Sequence, residues 1–262
     1  MKFRTLFTMD YGWAFRYCLK RAVINVKYCL DFRKFIEIDV DGLKIKMSFF
    51  SPDHHHFVKK NKNKKYYEHN FFSRWKEQAQ QMATDVLDLG GYSGFYGLVA
   101  AKVNPSSRIY IFEPDSLNYR QIKENIRLND LRNIEVIKAV VTDKIRSIFF
   151  TEYKGKETGR ISENSDFQID GLILDDWLEK NKINPTLIKM DIEGAEYLAL
   201  SGMKNYLKTA KSMNILLELH YNIIKKFGKT REDVLELLDE LGFKYRFLSK
   251  NPYGCEYYWA CK

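Results

Sequence analysis

Disulfide spacing, long apolar runs and the usual dinucleotide fingerprint are all missing from this chain. Its four cysteines, Cys18, Cys29, Cys255 and Cys261, form no Cys-x-x-Cys pair and no His/Cys spacing suited to zinc. They read as free thiols of a reducing cytoplasm. No uninterrupted apolar run reaches the ~18 residues of a membrane-spanning helix. The N-terminus lacks the short basic region, apolar stretch and small-residue cleavage site of a secretory signal. No internal repeat and no G-x-G-x-x-G occurs among the 14 glycines.

What is present is enough apolar material for a sizeable core, and charge confined to one end. Apolar residues make up 45% of the 262, which fits one large α/β domain with a small appendage. The net charge is +9. Residues 1–84 hold 17 Lys+Arg and 8 Asp+Glu, whereas residues 85–262 hold 26 of each. A neutral body behind a basic N-terminal region suggests two separate tasks.

From residue 86 onward, short apolar runs alternate with helical patterns. Strands are expected at 86–89, 108–112, 134–141, 186–192 and 214–219, with helices at 93–102, 116–129 and 231–241. Two further runs around Asn251, Pro252 and Gly254 read as a closing hairpin. This alternation implies a mostly parallel sheet covered by helices on both faces. In such sheets ligands bind beyond the carboxyl ends of the strands. Residues 142–175 read as a loop-rich insertion.

The stretch VLDLGGYSG, 86–94, joins the first of these strands to a helix. Its spacing is Asp-x-Gly-x-x-x-Gly, through Asp88, Gly90 and Gly94, with Gly91 and Tyr92 between. An acid at a strand end would repel a pyrophosphate and suits a cationic or amine-bearing ligand. The second strand ends in Glu113-Pro114, close to the spacing at which an acid accepts both ribose hydroxyls of a nucleoside. A carboxylate does so with two acceptor oxygens. Together these features suggest an S-adenosylmethionine (SAM) site. The fourth strand ends in KMDIEGAE, with Asp191, Glu193 and Glu196, and the fifth in LELH, with Glu218 and His220 on one side. Carboxylates gathered at strand ends raise one another's pKa and mark chemistry.

DLGGYSG, FEPD, IKMDIEGAE and LLELH, in that order, resemble the FkbM-type SAM-dependent methyltransferases. The resemblance spans about residues 66–220, including YYE at 66–68. It implies a class I, Rossmann-like α/β fold with a seven-stranded mostly parallel sheet and a C-terminal antiparallel hairpin. It also implies O-methylation of a hydroxyl, often on a sugar or natural product. The sequence departs from the family at Tyr92, where Asn or His is common. On this reading residues 1–84 form a basic helical/β appendage and 85–262 the SAM-binding domain. Asp88, Gly90, Gly91, Tyr92, Gly94, Glu113, Pro114 and Asp191 are the cofactor candidates. Asp191, Glu193, Glu218 and His220 are the catalytic ones; His220, Asp191 or Glu218 could take the hydroxyl proton, and Asp191 could instead bind the methionine amine.

The same four residues offer hard oxygens and an imidazole to a divalent metal, which is not the favoured expectation. The run His54-His55-His56 is expected in an exposed loop before a Lys-rich segment. Residues 11–28 read as a helix with Arg16, Lys20 and Lys27 in a narrow stripe beside Trp13, Phe15, Leu19, Val23, Ile24 and Val26. Such a helix suits a membrane surface, or an anionic or lipid-linked acceptor such as a glycan. Nucleic acid is not expected, since acids at the acceptor site would repel phosphates. The expected location is therefore the cytoplasm, with peripheral membrane contact. Two other functions compete: a nicotinamide-dependent oxidoreductase on a similar sheet, and a non-catalytic SAM-binding protein at a membrane.

Overall fold

Continuous apolar runs can bury both faces only inside a layered structure, and the chain builds one. A computed structural model describes residues 11–62, 69–82, 84–145, 147–151, 160–161, 168–251 and 254–262. The YYE at 66–68 and the side chains of residues 11–17 fall outside the described residues. The chain opens with α1 (Tyr11–Cys29), a hairpin of β1 (Ile36–Val40) and β2 (Leu43–Met47), α2 (Pro52–Lys62) and α3 (His69–Met82). It continues through β3 (Asp85–Leu89), α4 (Phe95–Val103), β4 (Arg108–Phe112), α5 (Ser116–Leu128) and β5 (Ile134–Ile137). An excursion follows through β6 (Val140–Val141), β7 (Ser147–Thr151), β8 (Arg160–Ile161) and β9 (Gln168–Leu172). The chain then returns through α6 (Leu174–Asn181), β10 (Pro185–Met190), α7 (Glu196–Ser201), α8 (Lys204–Thr209) and β11 (Asn214–Leu219). It closes with α9 (Arg231–Glu240), β12 (Lys244–Lys250) and β13 (Glu256–Cys261).

The central sheet has seven strands in the order β12-β13-β11-β10-β3-β4-β5, and only β13 runs against the rest. This is the class I arrangement expected. After β5 the chain crosses to the other side of β3, so the strand order reverses between β3 and β10, where such sheets open a ligand crevice. One face packs Leu87, Leu89, Leu217 and Leu238 under α6 to α9. The other packs Val86, Phe95, Ile111 and Trp259. That second core also contains Ile36, Ile45, Phe72 and Trp75, so the N-terminal region shares the core of the domain. Trp75 donates to the Tyr96 carbonyl at 2.9 Å.

Two expectations are corrected. Residues 134–141 are not one strand: β5 ends at Ile137, and Val140–Val141 pairs in parallel with β9 in a second, four-stranded sheet. The break has no Gly or Pro to announce it. Nor do His54 to His56 lie in an exposed loop. Ser51 accepts from the His54 amide at 3.2 Å and Pro52 occupies the first turn, which together start α2. His54 and His55 are buried.

Because Trp75 belongs to α3 yet fills the core of the central sheet, Trp75→Ala is expected to cost about 3–5 kcal/mol. Urea unfolding followed by near-UV circular dichroism would measure it, as one transition.

Candidate active site

A cavity of about 580 Å³ opens beyond the carboxyl ends of β3, β4, β10 and β11. That volume lies within the ~300–1,000 Å³ of small-ligand sites. Its floor is the loop after β3. Gly90 has φ +80°, and a Cβ there would stand 1.8 Å from the Asp191 carbonyl oxygen. A Cβ on Gly91 would meet Ile111 at 2.3 Å. The Gly90 and Gly91 amides both donate to the Phe112 carbonyl, at 3.0 and 3.1 Å. The loop is thus drawn against β4 and β10, leaving room above it. Gly90, Gly91, Tyr92, Glu113, Pro114 and Asp191 all line the cavity.

Glu113 sits at the end of β4, buried, and accepts from the Tyr92 amide at 2.7 Å and the Asp115 amide at 2.9 Å. Burial dominates those hydrogen bonds and pushes its pKa up to about 8. Tyr92 holds a left-handed conformation (φ 50°), the region that Asn tolerates and aromatic residues seldom enter. Its ring packs edge-on against His54 and Phe57 of α2, with centroids 4.9 and 5.5 Å away. Tyr92 therefore serves the site twice: its backbone orients Glu113 and its ring holds α2 over the loop. His54 hydrogen-bonds Asn118 at 2.9 Å, and burial lowers its pKa to about 4, so the imidazole is neutral.

Two expected cofactor residues do not line the cavity. Asp88 is turned with Val86 toward α4, where it accepts from the Gly97 amide at 3.0 Å. Strand alternation decides this: Leu87 and Leu89 take the opposite face. Burial raises its pKa to about 6. Gly94 (φ +77°) precedes α4, and a Cβ there would face Ile122. Both shape the loop from behind.

At the other end the four expected catalytic residues converge. His220 Nε2 lies 3.5 Å from Glu193, 3.7 Å from Asp191 and 3.9 Å from Glu218. Its Nδ1 meets Glu196 at 2.8 Å. Burial alone would lower the His220 pKa. The contact with Cys255 and the carboxylates of Glu196 and Glu193 outweigh it and raise the value well above the ordinary one. These surroundings favour the protonated ring. Burial likewise works against ionisation of Asp191, but the charges of Lys189 and His220 prevail and hold its carboxyl low. Lys189 donates to Asp191 at 2.7 Å. Glu218 accepts from Tyr257 at 2.5 Å. Glu193 has φ 51°, and the following Gly194 φ 97°, so the loop after β10 is a tight left-handed turn that sets Glu193 at the cavity wall.

Asp191, Glu193 and His220 form one group of metal-ligand type, and Glu218, His220 and Cys255 another, each with donor atoms within 4.8 Å.

Much of the remaining wall comes from residues 1–84 and 142–175, the segments from which a substrate region was expected although no motif names its residues. Asp53, His56, Phe57 and Lys60 of α2 line one side, and Val140, Val141, Phe150 and Ile161 of the small sheet another. Ser51-Pro52 was the available signal for α2. Cys255 and Asn251 also line the cavity, delivered by the pairing of β13 with β11, which no local pattern announces.

A 53-residue stretch is 42% identical to an uncharacterized protein of Methanocaldococcus jannaschii, spanning 20% of this chain and 20% of that relative. Among solved structures, the chain is similar to a precorrin-6y C5,15-methyltransferase from Geobacter metallireducens (12% identity, 72% of this chain and 86% of that chain, TM-score 0.46). It is also similar to an O-methyltransferase from Bacillus cereus in complex with SAH (14% identity, 72% and 78%, TM-score 0.45). Residues 88–245 match the model of the methyltransferase FkbM domain, and the chain belongs to that family.

Proposed function

We infer that the protein transfers a methyl group from SAM to a hydroxyl of a sugar, glycan or related compound. The observation that carries this reading is one cavity with a buried strand-end acid, Glu113, at one end and a cluster of acids around His220 at the other. Family membership supports the methyl donor. The glycine floor fits it, because side chains at Gly90 and Gly91 would fill the space or displace β10 and β4.

Glu113 would accept the ribose hydroxyls, and Asp191, beside Gly90 and held ionised, the methionine ammonium. SAM, when bound, supplies a methyl group activated on a sulfonium. The chain's own work is to align the acceptor and take its proton. Glu193 lines the cavity 3.5 Å from the His220 ring and is assigned as proton acceptor. His220, itself held by Glu196, keeps that carboxylate in place. The side chains of α2 and the small sheet shape the acceptor half, where Lys60 favours an acceptor with anionic character.

Glu113 gives the first test. Its pKa in the fold exceeds the ordinary 4.5, so the empty protein loses stability as pH rises from there toward about 8. Ribose hydroxyls donate to the carboxylate and favour the ionised form, so binding releases a proton and tightens as pH rises toward 8. Titration calorimetry with S-adenosylhomocysteine should show this dependence. Glu113→Gln should weaken binding about tenfold to a hundredfold, while raising the Tm of the empty protein at pH 8. A variant that binds as well as wild type would remove the ribose role.

Glu193 gives the second. Glu193→Gln should lower kcat with labelled SAM and extracted glycans about a hundredfold or more, with S-adenosylhomocysteine affinity unchanged. Equal losses in affinity and kcat would reassign it to cofactor binding.

A further inference from the structure

We propose that the outer face of α1 and the segment after it form a docking surface for an anionic phospholipid bilayer. Leu19, Val23, Val26 and Leu30 follow one another at steps of four, three and four, so they share one helical face. All four are exposed, and Phe32, just beyond, is 92% exposed. An exposed apolar ridge of this kind marks a contact surface. Its orientation is fixed from behind. Ile24 is buried, Arg21 pairs with Asp53, and the Tyr28 ring packs edge-on against Phe49 and His55. The inner face is thus committed to α2, and the ridge is held outward.

Charge selects the occupant. The α1 sequence contains four cations, Arg16, Lys20, Arg21 and Lys27, and no acid. Arg21 is used inward, while Lys20 and Lys27 are exposed beside the ridge, and Lys34 is exposed a few residues on. All of the chain's net positive charge lies in this N-terminal region. An apolar ridge flanked by ammonium groups, with the nearby Asp31 carboxylate buried against Arg33, His55 and Lys59, matches acyl chains beneath anionic headgroups. It is a surface contact: among the described residues no helix is long and apolar enough to cross a membrane.

The position also bears on the acceptor, a step that rests on the function proposed above. Helix α1 packs on α2, and α2 carries His56, Phe57 and Lys60 into the cavity wall. Docking would hold that wall one helix diameter, about 10 Å, from the lipid surface and favour a lipid-linked or amphiphilic hydroxyl compound.

Vesicle cosedimentation of the full chain tests the surface itself. The protein should sediment with phosphatidylcholine–phosphatidylglycerol vesicles and not with phosphatidylcholine alone, and high salt should release it. Val23→Asp/Val26→Asp and Lys20→Glu/Lys27→Glu should each reduce partitioning at least about tenfold. Unchanged Tm and S-adenosylhomocysteine affinity would show that these variants fold, and would keep this question apart from that of the cofactor. Absence of sedimentation, or equal sedimentation of wild type and both variants, would overturn the proposal. So would a dimer in sedimentation velocity that Val23→Asp/Val26→Asp dissolves, because the ridge would then belong to a second copy.

Discussion

The site depends on one close approach. The backbone at Gly90 runs so near the Asp191 carbonyl that no side chain fits between them. This contact joins the ends of β3 and β10, the neighbours between which strand order reverses. With Gly91 pressed on Ile111, the same loop is tied to β4 as well. Glu113 and Asp191 come from strands on opposite sides of β3, yet they face a single cavity because this loop lies flat beneath both.

Those two carboxylates, one buried and one partly exposed, are treated in opposite ways. Glu113 has only amides for partners, and burial carries it toward the neutral form. Asp191 has an ammonium and the His220 ring beside it and stays ionised. Neighbouring groups whose environments drive their titration apart divide the labour within a site. Here the polar end built on His220 sets carboxylates of the loop after β10, of α7 and of β11 around one ring, an arrangement that a core selected for stability alone would avoid.

What could be read in the sequence was what neighbours along the chain decide. The order of strands and helices follows from apolar runs that are continuous in sequence, and the strand-end acids follow from those runs. Family resemblance rested on the same local motifs. What could not be read depends on which way a residue faces once packed. Asp88 sits at the expected strand end but on the α4 side, a matter of strand parity. His54 and His55 stand beside lysines and look solvated; their burial comes from Asn118, Tyr92 and Asp31, all distant in sequence. The break after Ile137 carries no turn residue, because a second sheet rather than local preference claims Val140 and Val141.

The strand that runs against the others also sets an order of assembly. β13 inserts between β11 and β12, and Tyr257, Tyr258, Trp259 and Ala260 are buried there. Tyr257 also donates to Glu218, so the polar end of the cavity waits on the same strand. During synthesis β3, β4 and β10 leave the ribosome well before it. Until residue 261 emerges, one flank of β11 stays open, and a nascent chain must keep an unpaired apolar strand from other partners. The domain therefore completes its sheet and its site in one event, after its other strands have been translated.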